Sequence, residues 1–584
     1  MPSTIRKLSI ERFRGIKSLT WRPSCGVNII LGGGDTGKTT VLEAIGLLLN
    51  PTNTYILTDA DYFNRDVDSE FYVEGVMALP EVTAINQQTS MNWPWVWDGR
   101  NAVLPTESED GDNEELKTDP VYILRVRGTA ELELSYEIVQ PDGNVTTLSV
   151  ALRRTIGLVR LLADDRNDRD LRLIQGSGLD RLLSDKGLRS RVGRHLAAGD
   201  VKDMLSDEAR TALTNLQTSF AERALPDKLG LGITGGPGLS VNALIGLTAD
   251  KEGVTLPLAT WGAGTRRLAS LTISDVLQGY CPITIIDEIE RGLEPYRLRR
   301  LIFGLQQAGA QVFITTHSAT ALSVGSDIDL WYLDLKGRIG ELSRSKIDLH
   351  RKSDPETFLA RLAIICEGLT EVGFISFFLS KLIPGFEDHG VWITDGRGHD
   401  NALKLSEALS NAHLTFGAVV DNEGRRSGSW ARIKENLGEL LIQWASGCIE
   451  EQIIPLFDKD RIPDLVNDPE GDYTGMRLRS LADRIGIQAT DFESIEMAAA
   501  GRLTQFIIDA ACGKTNNMAG TDPETQKRLQ GYKKIWFKSE RGGRELAEKV
   551  IALGAWPKLK PDIIGFFNAV RQQLNMEKIE DLTQ

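Results

Sequence analysis

The sequence predicts an α/β protein in two parts, and three observations carry that prediction. The first is LGGGDTGKTTVLEAIGLLL, Leu31 to Leu49, where a short apolar run meets glycines and then a helical apolar period. The second is a pair of later apolar runs, one ending in Asp287-Glu288 and the other in His317. The third is a fresh strand, turn and helix beginning at RLAIICEGLTE, beyond a polar stretch. Buried apolar strands alternating with helices are the pattern of parallel sheets covered on both faces.

At 584 residues the chain exceeds one hydrophobic core, so roughly two to four domains are expected, and 41% hydrophobic content suits a globular protein. A net charge of −14 argues against a protein that coats nucleic acid, although an acidic body can still carry a local basic groove. Cys25, Cys281, Cys366, Cys448 and Cys512 are scattered without C-x-x-C spacing, which indicates neither a disulfide framework nor a zinc site. A reducing cytoplasm is the expected location. No apolar run has the length of a membrane span and the N-terminus is polar, so no membrane partner is expected.

Taken in order, IRKLSIERFRGIKSLTW alternates as edge strands do and leads into the apolar run Val27 to Leu31. The glycines that follow fit G-x-x-x-x-G-K-[ST] between a strand and a helix, the context of a phosphate-binding P-loop. Gly32, Gly34 and Gly37 let backbone N–H groups curl around phosphates, with Asp35, Thr36 and Thr40 completing the loop. Lys38 is expected to neutralise the outer phosphates and Thr39 to place its hydroxyl on Mg²⁺. Asn50-Pro51 stops the helix, and Asp61 lies close enough in sequence to face the nucleotide. The stretch from Thr89 to Asp119, with Trp93, Trp95, Trp97 and an acidic run, reads as an exposed loop between strands. VYILRVRG and AELELSYEIV read as paired strands.

From Ala151 to about Leu225 a helical period with many arginines takes over. Leu158, Leu161 and Leu162, then Leu179, Leu182 and Leu183, form apolar stripes suited to a helical insertion that contacts another copy. Strand character returns, and LPLATWGAGTRRLASLTI sets Gly262, Gly264, Arg266 and Arg267 ahead of an apolar helix. CPITIIDEIERGLEP then ends a buried strand in Asp287 and Glu288, and QVFITTHS ends another in His317. In an ATP site Asp287 would hold the Mg²⁺ shell, Glu288 would orient or deprotonate water, and His317 would contact the γ-phosphate. In this order the motifs resemble ABC-type ATPases of the SMC and RecF kind, although Gly262-Ala263-Gly264-Thr265-Arg266 departs from the usual S-G-G-Q signature. That resemblance implies two heads sandwiching ATP, with Gly264 of one facing Lys38 of the other, hence at least a homodimer.

In the second part, Glu367 sits at the carboxyl end of the first strand, where open α/β sheets hold ligands, and Glu371 is one helical turn on. GVWITDGRGHD forms a second strand, and TFGAVVDNEGRR a third that ends in Asp421 and Glu423. Together these carboxylates are hard oxygen ligands suited to Mg²⁺ or Mn²⁺. Glu450 or Glu451 offers a later acidic ligand, and Lys538, with Lys533 and Lys534 close by, a cation for a scissile phosphate. The pattern resembles a Toprim domain, with Glu423 where the second Asp of Asp-x-Asp is usual. A topoisomerase is disfavoured because no segment supplies a strand-passage tyrosine.

An ABC-type ATPase followed by a Toprim domain with E-G-x-T-E resembles the OLD (overcoming lysogenization defect) family of nucleases, which includes the nuclease subunit of Gabija antiphage systems. The fold implied is an N-terminal ABC/SMC-like P-loop ATPase with a helical insertion, followed by a C-terminal Rossmann-like Toprim domain with helical additions. Residues 1–150 and 229–343 would form the ATPase, 151–228 the dimerising insertion, 344–357 a linker and 358–584 the Toprim domain. The resemblance implies DNA cleavage with ATP and Mg²⁺ at one site, and two ions of Mg²⁺ or Mn²⁺ at the other, in antiphage defence. Its partners would be DNA, further copies of the chain, and a helicase-like or other defence protein. Two rival readings are an SMC/RecF-like repair ATPase whose second half only grips DNA, and a nucleotide-sensing scaffold that recruits an effector.

Overall fold

A computed structural model describes residues 2–85, 91–105, 119–161, 169–174, 177–183, 185, 188, 191, 205–226, 228–233, 245–276, 283–324, 328–422, 424–468, 473–515 and 523–582. The chain divides into two compact units, Met1–Leu31 with Gly37–Leu333, and Gly32–Thr36 with Asp334–Gln584.

In the first unit, β1 (Thr4–Phe13), β2 (Ile16–Trp21), β4 (Phe71–Ala78), β5 (Trp95–Trp97), β6 (Ala102–Val103), β7 (Pro120–Gly128), β8 (Leu134–Val139) and β9 (Val145–Thr147) make one antiparallel sheet. A second, parallel sheet contains β10 (Leu158–Leu161), β14 (Ile283–Ile286), β15 (Val312–Thr315), β3 (Val27–Leu31) and β16 (Asp329–Leu333), in that order. All five residues of β3 are buried, as expected of a strand covered on both faces. The two sheets are tied by Gln311, whose amide accepts from the Ile5 N–H at 2.7 Å and donates to the Ile5 and Ser24 carbonyls. Trp21 packs its ring edge-on against Phe313 and Trp331, with centroids 5.3 and 5.4 Å away. A small antiparallel sheet joins β11 (Leu229–Ile233), β12 (Ile245–Lys251) and β13 (Val254–Pro257).

Three expectations change here. Leu158 and Leu161, read as part of a helical stripe, lie in β10, which pairs in parallel with β14. A short apolar run has no period that separates a buried strand from a helix, and the central sheet decides it. Leu162 lies outside the described residues. Leu179, Leu182 and Leu183 do lie on a helix, Gly178–Leu183, but are buried within this unit and do not form an exposed stripe. Trp95 and Trp97, read as loop, sit in β5, which pairs with β6 and β7, and the Trp95 indole donates to the Val139 carbonyl at 2.9 Å. The acidic run beyond Pro105 lies outside the described residues.

The second unit opens with β17 (Ile339–Glu341) and is organised on a four-stranded parallel sheet. Its strands are β18 (Leu362–Cys366), β19 (Val391–Asp395), β20 (Gly417–Val420) and β21 (Leu441–Gln443), in spatial order β19-β18-β20-β21. The polar stretch read as a linker is helical over Arg344–Ser353. Its buried face is carried by Ile347, His350 and Arg351, so two of three inward positions are polar and an apolar count misses the stripe.

Candidate functional site

The first unit brings Lys38, Thr39, Asp287, Glu288 and His317 to the carboxyl ends of its parallel strands. The loop before helix α1 (Lys38–Leu48) turns through positive φ at Gly32 (132°), Asp35 (57°) and Gly37 (98°), and the Thr36 hydroxyl donates to the Gly33 carbonyl at 3.1 Å. Such turns line backbone N–H groups into an anion-binding concavity at a helix start. Lys38 is buried at the first position of α1, with Thr40 one turn-step on. The Thr39 hydroxyl lies 3.1 Å from Asp287 Oδ1, so two residues 248 apart in sequence supply adjacent hard oxygens. Strand β15 lies between β3 and β14, and its last residue, Thr315, donates from its hydroxyl to Asp287 Oδ1 at 2.6 Å. The same Thr315 oxygen accepts the Glu288 N–H at 2.9 Å.

Glu288 has φ of 47°, a left-handed conformation that costs a non-glycine residue energy and is kept where neighbours over-determine it. Its half-exposed carboxylate lies 3.7 Å from Arg291. His317 is exposed at the end of β15, and its backbone N–H donates to Glu290 Oε1 at 2.7 Å, while Thr316 donates to Glu290 Oε2 at 2.6 Å. Glu290 is thus the third acid of D-E-I-E, and it holds the loop that presents His317; the sequence reading gave it no role. Gly264 opens helix α2 (Ala263–Val276), where a Cβ would stand 2.1 Å from the Gly292 carbonyl oxygen, so glycine is required within the chain. Asp61, close enough in sequence to face the nucleotide, is engaged by its own neighbours. It is buried, ion-paired with Arg14 at 3.0 Å, bonded to the Tyr55 hydroxyl at 2.8 Å, and accepts the Thr58 N–H at 3.0 Å.

In the second unit, Glu367 follows β18 and Asp421 follows β20. The chain crosses from β18 to β19 on one side and returns to β20 on the other, so these carboxylates flank the point where the strand order reverses. Glu367 Oε2 accepts the Asp421 N–H at 3.1 Å, and Asp421 Oδ1 accepts the Ile449 N–H at 3.2 Å. Glu371 lies in the first turn of α3 (Leu369–Leu382) and accepts the Gly368 N–H at 3.0 Å, satisfying one backbone donor at the helix start. Glu450, on α4 (Ile449–Ile453), is wholly buried and takes the Lys538 ammonium at 2.8 Å on Oε2, while its Oε1 has no hydrogen-bond partner among the described residues. Glu451 turns elsewhere, to Lys514 and to the Cys448 N–H. Glu423 lies outside the described residues.

Crowding sets the electrostatics. Burial, then Glu367 and Glu450, push the Asp421 carboxyl up to about 8 against the pull of Lys538. Burial, then Asp421 and Glu450, raise Glu371 well above the carboxylate range. Burial works against the Lys538 charge, but Glu450, Cys448 and Glu371 outweigh it and hold the ammonium above its usual range. Four acids around one lysine leave negative charge that a divalent cation fits, and the orphaned Glu450 Oε1 is a hard donor for it. His399 was not foreseen: its Nδ1 lies 3.4 Å from Glu367 Oε2 and its ring packs edge-on against Trp430. The glycine-rich turn G-R-G just before it was the available signal.

A parallel sheet with a phosphate loop on one strand, and a hydroxyl and carboxylate paired across it, defines a P-loop ATPase domain. The chain belongs to the family described as "AAA domain, putative AbiEii toxin, Type IV TA system", whose model matches residues 27–323. It is 44% identical over 45 residues to the DNA replication and repair protein RecF of Teredinibacter turnerae, a stretch covering 8% of this chain and 12% of that protein. Among solved structures it is similar to an Smc head bound to the C-winged helix domain of ScpA (TM-score 0.39, 16% identity, 59% of this chain and 99% of that one). It is also similar to the recombination mediator protein RecF with ATPγS (TM-score 0.35, 15% identity, 59% and 99%). No helix among the described residues is long and apolar enough to cross a membrane.

Proposed function

We propose that the chain is an ATP-binding, metal-dependent DNA endonuclease of the OLD family, acting in antiphage defence. The observation that carries this reading is the convergence of Glu367, Glu371, Asp421, Glu450 and Lys538 at the strand-order reversal of the second unit. Acidic oxygens beside one buried cation suit phosphodiester hydrolysis, where divalent ions supply activated water and stabilise the leaving oxygen. Glu367 and Asp421, with Glu423, would hold one ion, and Glu371 and Glu450 a second. Lys538 balances charge on the phosphate in the transition state. In the first unit Lys38, Thr39 and Asp287 bind Mg²⁺ and ATP, while Glu288 orients water, His317 faces the γ-phosphate and Gly264 faces the nucleotide of a second copy. A cytoplasmic homodimer that works with a further defence protein completes the proposal.

A repair ATPase that grips DNA without cutting is the competing reading, and the short RecF-like stretch is what favours it. The deciding assay incubates the full chain with supercoiled plasmid in Mg²⁺ or Mn²⁺, with and without ATP, beside Asp421→Ala. Nicked or linear product that disappears in the variant, with ATP turnover kept, is expected. ATP turnover without any nicked product in either metal would transfer the assignment to the DNA-gripping ATPase.

A further inference from the structure

Cys448 and Cys512 are 64 residues apart in sequence, yet their Sγ atoms lie 3.3 Å from each other. Cys448 precedes α4, and Cys512 is the last residue of α5, the helix Leu503–Cys512. Two contacts hold these ends together. Glu451 accepts the Cys448 N–H at 3.1 Å and is ion-paired with Lys514, two residues beyond Cys512. Gly513 makes the turn between them at φ of 72°.

A third ligand type is present at the same place. A carboxylate oxygen of Glu450 lies within 4.8 Å of both sulfurs, and Glu450 Oε1 is buried without a hydrogen-bond partner among the described residues. We propose that Cys448, Cys512 and Glu450 form a binding site for a thiophilic divalent cation of the zinc class. The site goes beyond the nuclease reading and shares Glu450 with it, while its two sulfur ligands belong to this site alone.

Geometry favours a cation over a disulfide. Two thiolates on one tetrahedral zinc, each at about 2.3 Å, stand about 3.8 Å apart, so the sulfurs need to separate by only about half an ångström. A disulfide would require them to close to about 2.05 Å. Hard ions such as Mg²⁺ avoid sulfur, whereas zinc accepts two thiolates with a carboxylate. Both cysteines are partly exposed, which leaves room for water as a fourth ligand. Binding forms two metal–sulfur bonds and releases both thiol protons to solvent.

The test uses the full chain, reduced and freed of metal by a chelator, then titrated with Co²⁺. One equivalent is expected to give a near-ultraviolet thiolate-to-cobalt charge-transfer band, and an equivalent of Zn²⁺ to bleach it. Cys448→Ser and Cys512→Ser should each remove most of the band while ATP turnover reports intact folding, and Cys25→Ser should leave it unchanged. Glu450→Gln should keep the band but weaken Co²⁺ binding at least tenfold. A measurement without variants accompanies these: Zn²⁺ should protect Cys448 and Cys512 of the unmodified chain from alkylation, as read by peptide mass spectrometry. No thiolate band, a band that survives in the double serine variant, or alkylation indifferent to Zn²⁺ would each overturn the site.

Discussion

Thr315 joins the two acidic residues of the ATPase motif, because one hydroxyl donates to the Asp287 carboxylate and accepts the Glu288 N–H. Replacing it by valine keeps the shape and removes both bonds. A buried hydrogen bond to a charged group is worth about 1.5–3 kcal/mol, so Thr315→Val should lower the urea midpoint by that equivalent and slow ATP turnover. An unchanged midpoint would mean that Thr39 and the strand ends alone fix Asp287. The placement of Lys38 and Thr39 at a helix start, and of Asp287 and Glu288 at a strand end, was legible in the sequence because the flanking apolar runs specify those ends before any fold is known. Glu290, His399 and the Cys448–Cys512 pair were not, since each acts through a partner that tertiary structure supplies. His399 meets Glu367 across 32 residues, and no local period encodes that meeting.

Two helices of the second unit approach so closely that glycine is obligatory at their crossing. On α3 a Cβ at Gly373 would stand 1.9 Å from the Glu540 carbonyl oxygen, and on α6, the helix Glu540–Ala552, one at Gly543 would stand 1.9 Å from that of Thr370. This crossing ties the residues next to Glu371 and Lys538 together, the Thr370 hydroxyl donating to the Phe537 carbonyl at 3.0 Å. Gly373→Ala gains up to about 1 kcal/mol of helix propensity but meets an overpacking cost of about 1–3 kcal/mol. Thermal unfolding should therefore move to lower temperature, and plasmid cleavage should fall while ATP turnover holds. Gly304, in the helix Pro295–Gln307, has nothing within 4 Å of its Cβ position, so Gly304→Ala should raise the midpoint instead. Equal shifts in the two variants would remove the close crossing as the cause.

The helix Arg344–Ser353 shows what an apolar count cannot register, and it makes a pH prediction. Burial lowers the His350 pKa, opposed by its contact to the Asp395 carbonyl and by the Asp354 and Asp395 charges, with Arg397 acting in the same direction as burial. The unfolded chain then takes up a proton on His350, near pH 6.5, before the folded chain does. Its contribution to stability is complete above that pH and is lost as pH falls towards the folded value. The thermal midpoint should drop on acidification from about pH 7 to 5, and His350→Gln should remove part of that drop. A variant with the same pH slope would place the titration on other groups.

At the scale of the whole molecule, Thr39 paired with Asp287, and Glu288 held beside them by Thr315, are the first unit's contribution to the proposed nucleotide site. The helix Ala263–Val276 packs its first turn, at Gly264, against Gly292 of the same chain. If two heads close over ATP, the bound nucleotide is the bond between them, and its lifetime sets the lifetime of the dimer. Glu288→Gln leaves Lys38, Thr39 and Asp287 in place and removes the carboxylate proposed to orient water, along with its ion pair to Arg291. General bases contribute about 10²–10⁴ in rate, so turnover should fall at least about a hundredfold with ATP affinity unchanged. Slow turnover then accumulates the closed state. The mass from light scattering should double on adding ATP to Glu288→Gln, and should not change in Lys38→Ala, which lacks the phosphate-binding ammonium. A Glu288→Gln chain saturated with ATP that keeps the mass of its nucleotide-free state would refute nucleotide-driven pairing and leave each head to hydrolyse ATP within one assembly state.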